Sequence, residues 1–212
     1  MTMMKCSLLS HTADPDRVVA TAHKLCYSNE DPESISVNLT TEEIERRLGS
    51  IVASGHMSVL EHAHFTFAIW GISRVCSHQL VRHRTFNFTQ RSQRYCYVQG
   101  SCVIPPSVYE DDEAEAVFNE VNQYIHDAYM RLVDELHVPK EDARFILPHG
   151  QETALVVTAD ARNLFNFFNM RLGVTKGNNP QWEIRSLACK MLKLVKQVSP
   201  LIFSGYTIPL NG

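Results

Sequence analysis

Apolar positions along the chain switch between a helical and an alternating period. After Asp14-Pro15, an N-cap followed by a proline at the first helical position, Val18, Ala22 and Leu25 fall at helical spacing and predict a helix over 17–27. Thr40 and Glu43 form a capping-box pattern ahead of Ile44, Leu48, Ile51 and Val52 on one helical face, and Gly55 suits the stop. From His64 to Ile72 the pattern alternates, with Phe65, Phe67 and Ile69 against Thr66 and Ala68, as in a half-buried strand. Residues 73–83 read as helix or a turn of helix. Phe86 and Phe88 alternate again, and residues 95–104 are β-rich up to Pro105-Pro106. A long amphipathic helix follows, its stripe drawn by Val117, Phe118, Val121, Tyr124, Ala128, Leu132, Val133 and Leu136. Pro139 opens a shorter helix that Pro148 closes, and residues 153–158 read as a strand. Asp160 can cap a helix through Arg171, and Asn179-Pro180 can start a last one ending near Pro200. With no repeat, linker or break in composition, residues 1–212 read as a single α+β domain. Helices flank a twisted, mainly antiparallel sheet.

Composition narrows the class without naming a function. The chain has 212 residues and a formal charge of −3, from 20 Lys+Arg against 23 Asp+Glu. This excludes a disordered tail, a collagen-like fibre and a histone-like polycation. No apolar run reaches membrane-spanning length, and the apolar stretch near Met1 is too short for a secretory core, so the expected location is cytoplasmic with no membrane partner. Six cysteines without a C-x-x-C pair argue against a disulfide framework. His56, His62 and His64 lack the spacing and glutamate of a helical zinc site, so no metal is expected.

The distribution of charge is more telling than its total. No Asp, Glu or Lys lies between Glu61 and Glu110, yet that stretch holds Arg74, Arg82, Arg84, Arg91 and Arg94. Arginine offers a planar fork matched to phosphate and carbonyl edges, so a lysine-free arginine run suggests oriented recognition of an oxyanion. The plainer alternative is a solvated surface whose acids come from elsewhere in the fold.

The centre of this stretch is Arg82-His83-Arg84, seven residues, then Ser92-Gln93-Arg94-Tyr95. That pattern resembles the signature of the flavin-dependent thymidylate synthases. In the same order along the chain, Gly55-His56-Met57-Ser58-Val59-Leu60-Glu61-His62, Ala143-Arg144-Phe145-Ile146-Leu147-Pro148, the helix Ala161-Arg162 through Arg171, and Gln181-Trp182-Glu183-Ile184-Arg185 are similar to further blocks of that family. The resemblance runs over about residues 20–200.

It implies FAD as cofactor, with methylenetetrahydrofolate as carbon donor, NADPH as reductant and reductive methylation of dUMP to dTMP. It also implies a homotetramer with its sites at subunit interfaces. For FAD it implies contacts from His56, Ser58, Glu61, Arg82, His83, Arg84, Gln90, Asp160, Arg162 and Asn166. For the nucleotide it implies Gln79, Arg82, Gln90, Arg91, Ser92, Gln93, Arg94, Arg144 and Arg171, with residues 90–94 as the phosphate loop. Ser92 reads as a binding hydroxyl and not a nucleophile, because no local His or Lys would activate it. Arg171 is the expected catalytic residue, a fixed cation facing the uracil ring that stabilises charge from N3 ionisation.

Three features depart from the family pattern, the first being Lys24, which sits where an Arg is common. Asp160 stands where Asn is usual, and the link Leu172–Pro180 is longer than usual and rich in Gly and Asn. Methylation of another uridine nucleotide, such as UMP, stays open, since discrimination of a 2′-OH can rest on one contact. A single-strand-binding module, suggested by aromatics interleaved with arginines from Arg82 to Tyr97, fits less well because the rest of the chain is acidic. No nucleic-acid partner is therefore expected.

Overall fold

The Asp14-Pro15 start signal is used as written. In the computed structural model, which describes residues 3–173, 177 and 179–207, the Asp14 carboxylate accepts the Arg17 N–H and α1 runs over Pro15–Leu25. The same Asp-Pro device, at Asp31-Pro32, starts α2 (Pro32–Asn38), a helix the apolar pattern did not predict because Ile35 is its one buried residue. Thr40 caps α3 (Thr41–Ser54) by accepting the Glu43 N–H, and Gly55 ends it at φ 74°, a left-handed conformation that glycine adopts without steric cost. A 3₁₀ turn over Met57–His62 leads into β2 (His64–Ser73), and Ser73 caps α4 (Arg74–Leu80). β3 is short, Asn87–Gln90. The prolines at 105–106 start α5 (Pro106–Tyr109), Asp111 caps α6 (Asp112–Met130), and a π turn over Arg131–Glu135 prolongs it. Then come α7 (Lys140–Ala143), a 3₁₀ turn at Arg144–Ile146, β4 (Glu152–Asp160), α8 (Ala161–Arg171) and α9 (Trp182–Val198). Gln181, not Asn179, caps α9, its Oε1 accepting the Glu183 and Ile184 N–H groups.

The fold is α+β, as expected. Its four strands form one antiparallel sheet in the order β1-β2-β4-β3. The outer strand β1 (Lys5–His11) escaped the sequence pattern because Leu8-Leu9 breaks its alternation. The β-rich stretch at 95–104 is not a strand. Cys102 alone pairs, in an isolated antiparallel bridge to Gln151. Gly100 interrupts the extended chain at φ 75°, and a Cβ there would lie 2.8 Å from the His126 ring. No helix among the described residues is long and apolar enough to cross a membrane.

Two compact units divide the chain. The first comprises Met1–Lys5, Ile69–Arg82 and Thr89–Leu155. Its core gathers Val98, Tyr129 and Ala143, with Met130, Leu132, Val133, Val138 and Leu147 packed against them. Much of the predicted α6 stripe stays at the surface: Val117, Val121 and Tyr124 are exposed, as is Leu136 beyond the helix. The second unit comprises Cys6–Ala68, His83–Phe88 and Val156–Gly212. Its core is aromatic: Phe165 stacks on Phe203 at 5.5 Å, and Phe65, Phe168 and Tyr206 meet the same pair edge-on. Asp16 on α1 ties down the C-terminal turn here, accepting from Ser199 Oγ at 2.5 Å, Leu201 N at 3.1 Å and Ile202 N at 3.2 Å. The Leu172–Pro180 link is described only at 172–173, 177 and 179–180; Val174–Lys176 and Asn178, four of its expected flexible residues, lie outside the described residues.

Candidate active site

The loop after β3 is held from below. Gln90 donates through Nε2 to Ser77 Oγ and to Thr153 Oγ1, both at 3.1 Å, and the Arg91 N–H donates to Ala154 O at 2.9 Å. Gln90 therefore anchors the loop, while Arg91 beside it is exposed. Ser92 Oγ accepts the Arg94 N–H at 3.2 Å, which makes it a turn hydroxyl. Arg94 Nε donates to Glu141 at 2.7 Å, and both side chains are about half exposed. A small hollow of about 50 Å³ behind the loop is lined by Arg91, Ser92, Gln93 and Gln151.

A larger cavity of about 220 Å³ in the same unit is lined by Arg74, His78, Gln93, Arg144, Phe145 and His149. Gln93 and Arg144 were expected from the sequence; Arg74, His78 and His149 were not assigned. The backbone explains their convergence. The Arg74 and Val75 N–H groups donate to Gln151 O and His149 O, so the start of α4 is tied to the 149–151 turn. The His78 and His149 rings then lie 6.1 Å apart. Burial and the nearby Arg144 charge both lower the Arg74 pKa. Among the described residues, no carboxylate is ion-paired with either guanidinium. Two cations held together without a counter-charge favour an anion between them. Gln79, half-buried on α4, belongs to this unit, and so does the exposed Arg82.

In the second unit, His83 and Arg171 meet: Arg171 Nε donates to His83 Nε2 at 3.1 Å. His83 is buried, while Arg84 beside it is exposed. Burial and the Arg171 charge lower the His83 pKa to about 4, so the imidazole is neutral and its Nε2 can accept. Arg162, at the start of α8, forms an ion pair with Glu61 of the 3₁₀ turn. Asn166 lies one turn further along the exposed side of α8. Asp160 caps α8: one carboxylate oxygen accepts the Asn163 N–H at 2.8 Å and the other the Asn163 side-chain amide at 2.6 Å. An Asp at this position thus keeps the capping function. His56 sits at the start of the 3₁₀ turn with His23 and Tyr27 against its ring, at 5.6 and 6.4 Å. Burial, then Arg47 and His56, lower the His23 pKa. His23 on α1 and Tyr27 just beyond its end are four apart in the sequence and carried no assignment. Ser58 is exposed on the same turn.

Comparison with known proteins adds to this geometry. The family described as "Thymidylate synthase complementing protein" matches residues 7–201. A flavin-dependent thymidylate synthase of Geobacter sulfurreducens is 47% identical over 203 residues, spanning 94% of this chain and 85% of the relative. One from Sulfurisphaera tokodaii is 42% identical over 205 residues, spanning 94% and 76%. Among solved structures, a UMP/dUMP methylase PolB from Streptomyces cacaoi, bound with 5-Br dUMP, superposes with a TM-score of 0.87 over 99% of both chains at 21% identity.

Proposed function

The chain belongs to the thymidylate synthase complementing protein family, and from that membership we propose that it is an FAD-dependent thymidylate synthase converting dUMP to dTMP. The observation that carries this reading on the structure is the cavity where Arg74 and Arg144 converge without a carboxylate partner among the described residues. It is suited to the 5′-phosphate of a nucleotide. Gln93 and His149 add donors on its wall, and the loop anchored by Gln90 presents Arg91, Ser92 and Arg94. Gln79 and Arg82 complete the nucleotide set.

The donor set of the second unit fits FAD. Ser58, Arg84, Arg162 and Asn166 offer exposed hydroxyl, guanidinium and amide donors for a diphosphate and ring carbonyls, with His56 and Glu61 beside them. Bound there, FAD supplies the two-electron reduction that turns a transferred methylene into a methyl group. The carbon comes from methylenetetrahydrofolate and the electrons from NADPH. The balance is dUMP, methylenetetrahydrofolate, NADPH and one proton giving dTMP, tetrahydrofolate and NADP⁺. Arg171 holds positive charge at the uracil edge, favouring loss of the N3 proton and raising electron density at C5.

A homotetramer with shared sites goes with this reading. The exposed apolar stripe Val117, Val121 and Tyr124 on α6 supports it, because an uncovered helix face of that kind marks an interaction surface. The six cysteines, all unpaired, suit a reducing cytoplasm. The test is methylation by the purified protein of dUMP against UMP, with FAD, methylenetetrahydrofolate and NADPH supplied. Turnover of dUMP with flavin bands that NADPH bleaches supports the assignment; a strong preference for UMP would sink it.

A further inference from the structure

Arg171 is the last residue of α8, where backbone order is weakest, yet its proposed task demands a fixed direction. Its Nε, the guanidinium nitrogen on the stem, donates to His83 Nε2 at 3.1 Å. Holding Nε sets the rotation of the guanidinium plane about the stem and so aims both terminal nitrogens. His83 is itself held on several sides. Its ring meets Phe167 edge-on at 4.9 Å and lies tilted on Phe86 at 5.6 Å. Its carbonyl accepts the Phe86 N–H at 3.0 Å, closing the turn. Phe167 and Arg171 lie four residues apart on α8, so one helix face supplies both the packing wall and the donor. In the Arg82-His83-Arg84 triplet the two arginines face solvent while the histidine is 6% exposed. The arginines are therefore available to an anionic ligand and the imidazole is turned away from one.

We infer that His83 is a positioning residue, its Nε2 aiming the Arg171 guanidinium. The inference deepens the role given to Arg171 above and rests on it. An accepting Nε2 requires the neutral tautomer with its proton on Nδ1, the form that burial favours at neutral pH.

The experiment uses the holoenzyme. His83→Phe keeps an aromatic ring against Phe167 and removes the acceptor. The expected result is a fall in kcat of about a hundredfold with bound FAD unchanged. In an Arg171→Ala background the same substitution costs nothing further, because its effect passes through the arginine. An equal factor in both backgrounds, or FAD lost in parallel, overturns the inference. A second readout is independent of turnover. In ¹⁵N-labelled protein the Arg171 Nε–H exchanges slowly with water in the wild type and fast in His83→Phe. Fast exchange in the wild type alone overturns the pairing, even if the Phe variant fails to fold. If the wild type does not methylate dUMP, the functional reading falls, and the exchange measurement still decides whether His83 holds Arg171.

Discussion

Replacing Arg74 by Ala tests the phosphate seat at a residue the motifs do not assign. The side chain lines a cavity of about 220 Å³ with Arg144 and has no ion-pair partner among the described residues. Its backbone N–H stays bound to Gln151 O whatever the side chain, so the fold should tolerate the change. One charge-assisted hydrogen bond to a buried oxyanion is worth about 1.5–3 kcal/mol net. The variant should therefore bind dUMP about 10- to 150-fold more weakly, at 1.4 kcal/mol per decade. Removing Arg74 also relieves the burial of its charge and its repulsion of Arg144 in the free protein, the two effects that depress the Arg74 pKa, and this adds slightly to the stability of the variant. The assay is equilibrium titration of the holoprotein with dUMP and, in parallel, with deoxyuridine, at two salt concentrations. Affinity for dUMP should fall and lose part of its salt dependence, while affinity for deoxyuridine stays unchanged. Equal weakening of both ligands would show a merely structural arginine. No weakening of dUMP would show that the phosphate sits elsewhere. Either result refutes the reasoning.

Three further outcomes follow from the same geometry. Arg171→Ala should abolish most turnover while retaining flavin, measured as the ratio of flavin absorbance to protein; parallel loss of FAD would remove the activation role. The His83 pKa of about 4 lies below that of an unfolded histidine, so the unfolded chain binds the extra proton first. Stability from this group is whole above about pH 6.5, is lost as pH falls toward 4 by up to about 3 kcal/mol, and is flat below. Thermal melts across that window should be steeper for the wild type than for His83→Phe. Asp16→Ala leaves a buried hydroxyl and two N–H groups without their acceptor and should cost about 3–5 kcal/mol in denaturant unfolding, with Asp16→Asn milder.

Local signals made most of the helices legible. Asp14-Pro15, Thr40 with Glu43, and Asp160 each cap the helix they announce, because capping depends on neighbours within one turn. The misses are non-local. β1 belongs to the sheet through its partner β2 and not through its own alternation. Residues 95–104 have strand composition but no ladder, since Gly100 turns the chain against His126. The site followed the same rule. Motif spacing located Gln90, Ser92, Arg144 and Arg171 along the chain, but only the fold shows that Gln90 anchors the loop and that Arg74 joins Arg144.

The net charge of −3 says little about what the arginines do; their carboxylate partners say more. Within the acid-free run from Glu61 to Glu110, Arg94 recovers a counter-charge from Glu141, far along the chain. Outside the run, Arg162 pairs with Glu61 at its edge. Those guanidiniums are partly neutralised, and a ligand must compete with a carboxylate to reach them. Arg74, Arg82, Arg84, Arg91 and Arg144 have no ion pair among the described residues, so an anion reaching them would have none to displace. Exposed Arg82, Arg84 and Arg91 are screened by water and salt, which leaves the half-buried Arg74 and Arg144 as the pair with most to gain from an anion. By that ordering, loss of the Arg74 charge should weaken a monophosphate more than loss of the exposed Arg91 charge. A larger effect at Arg91 would mean that the loop, and not the cavity, carries the phosphate.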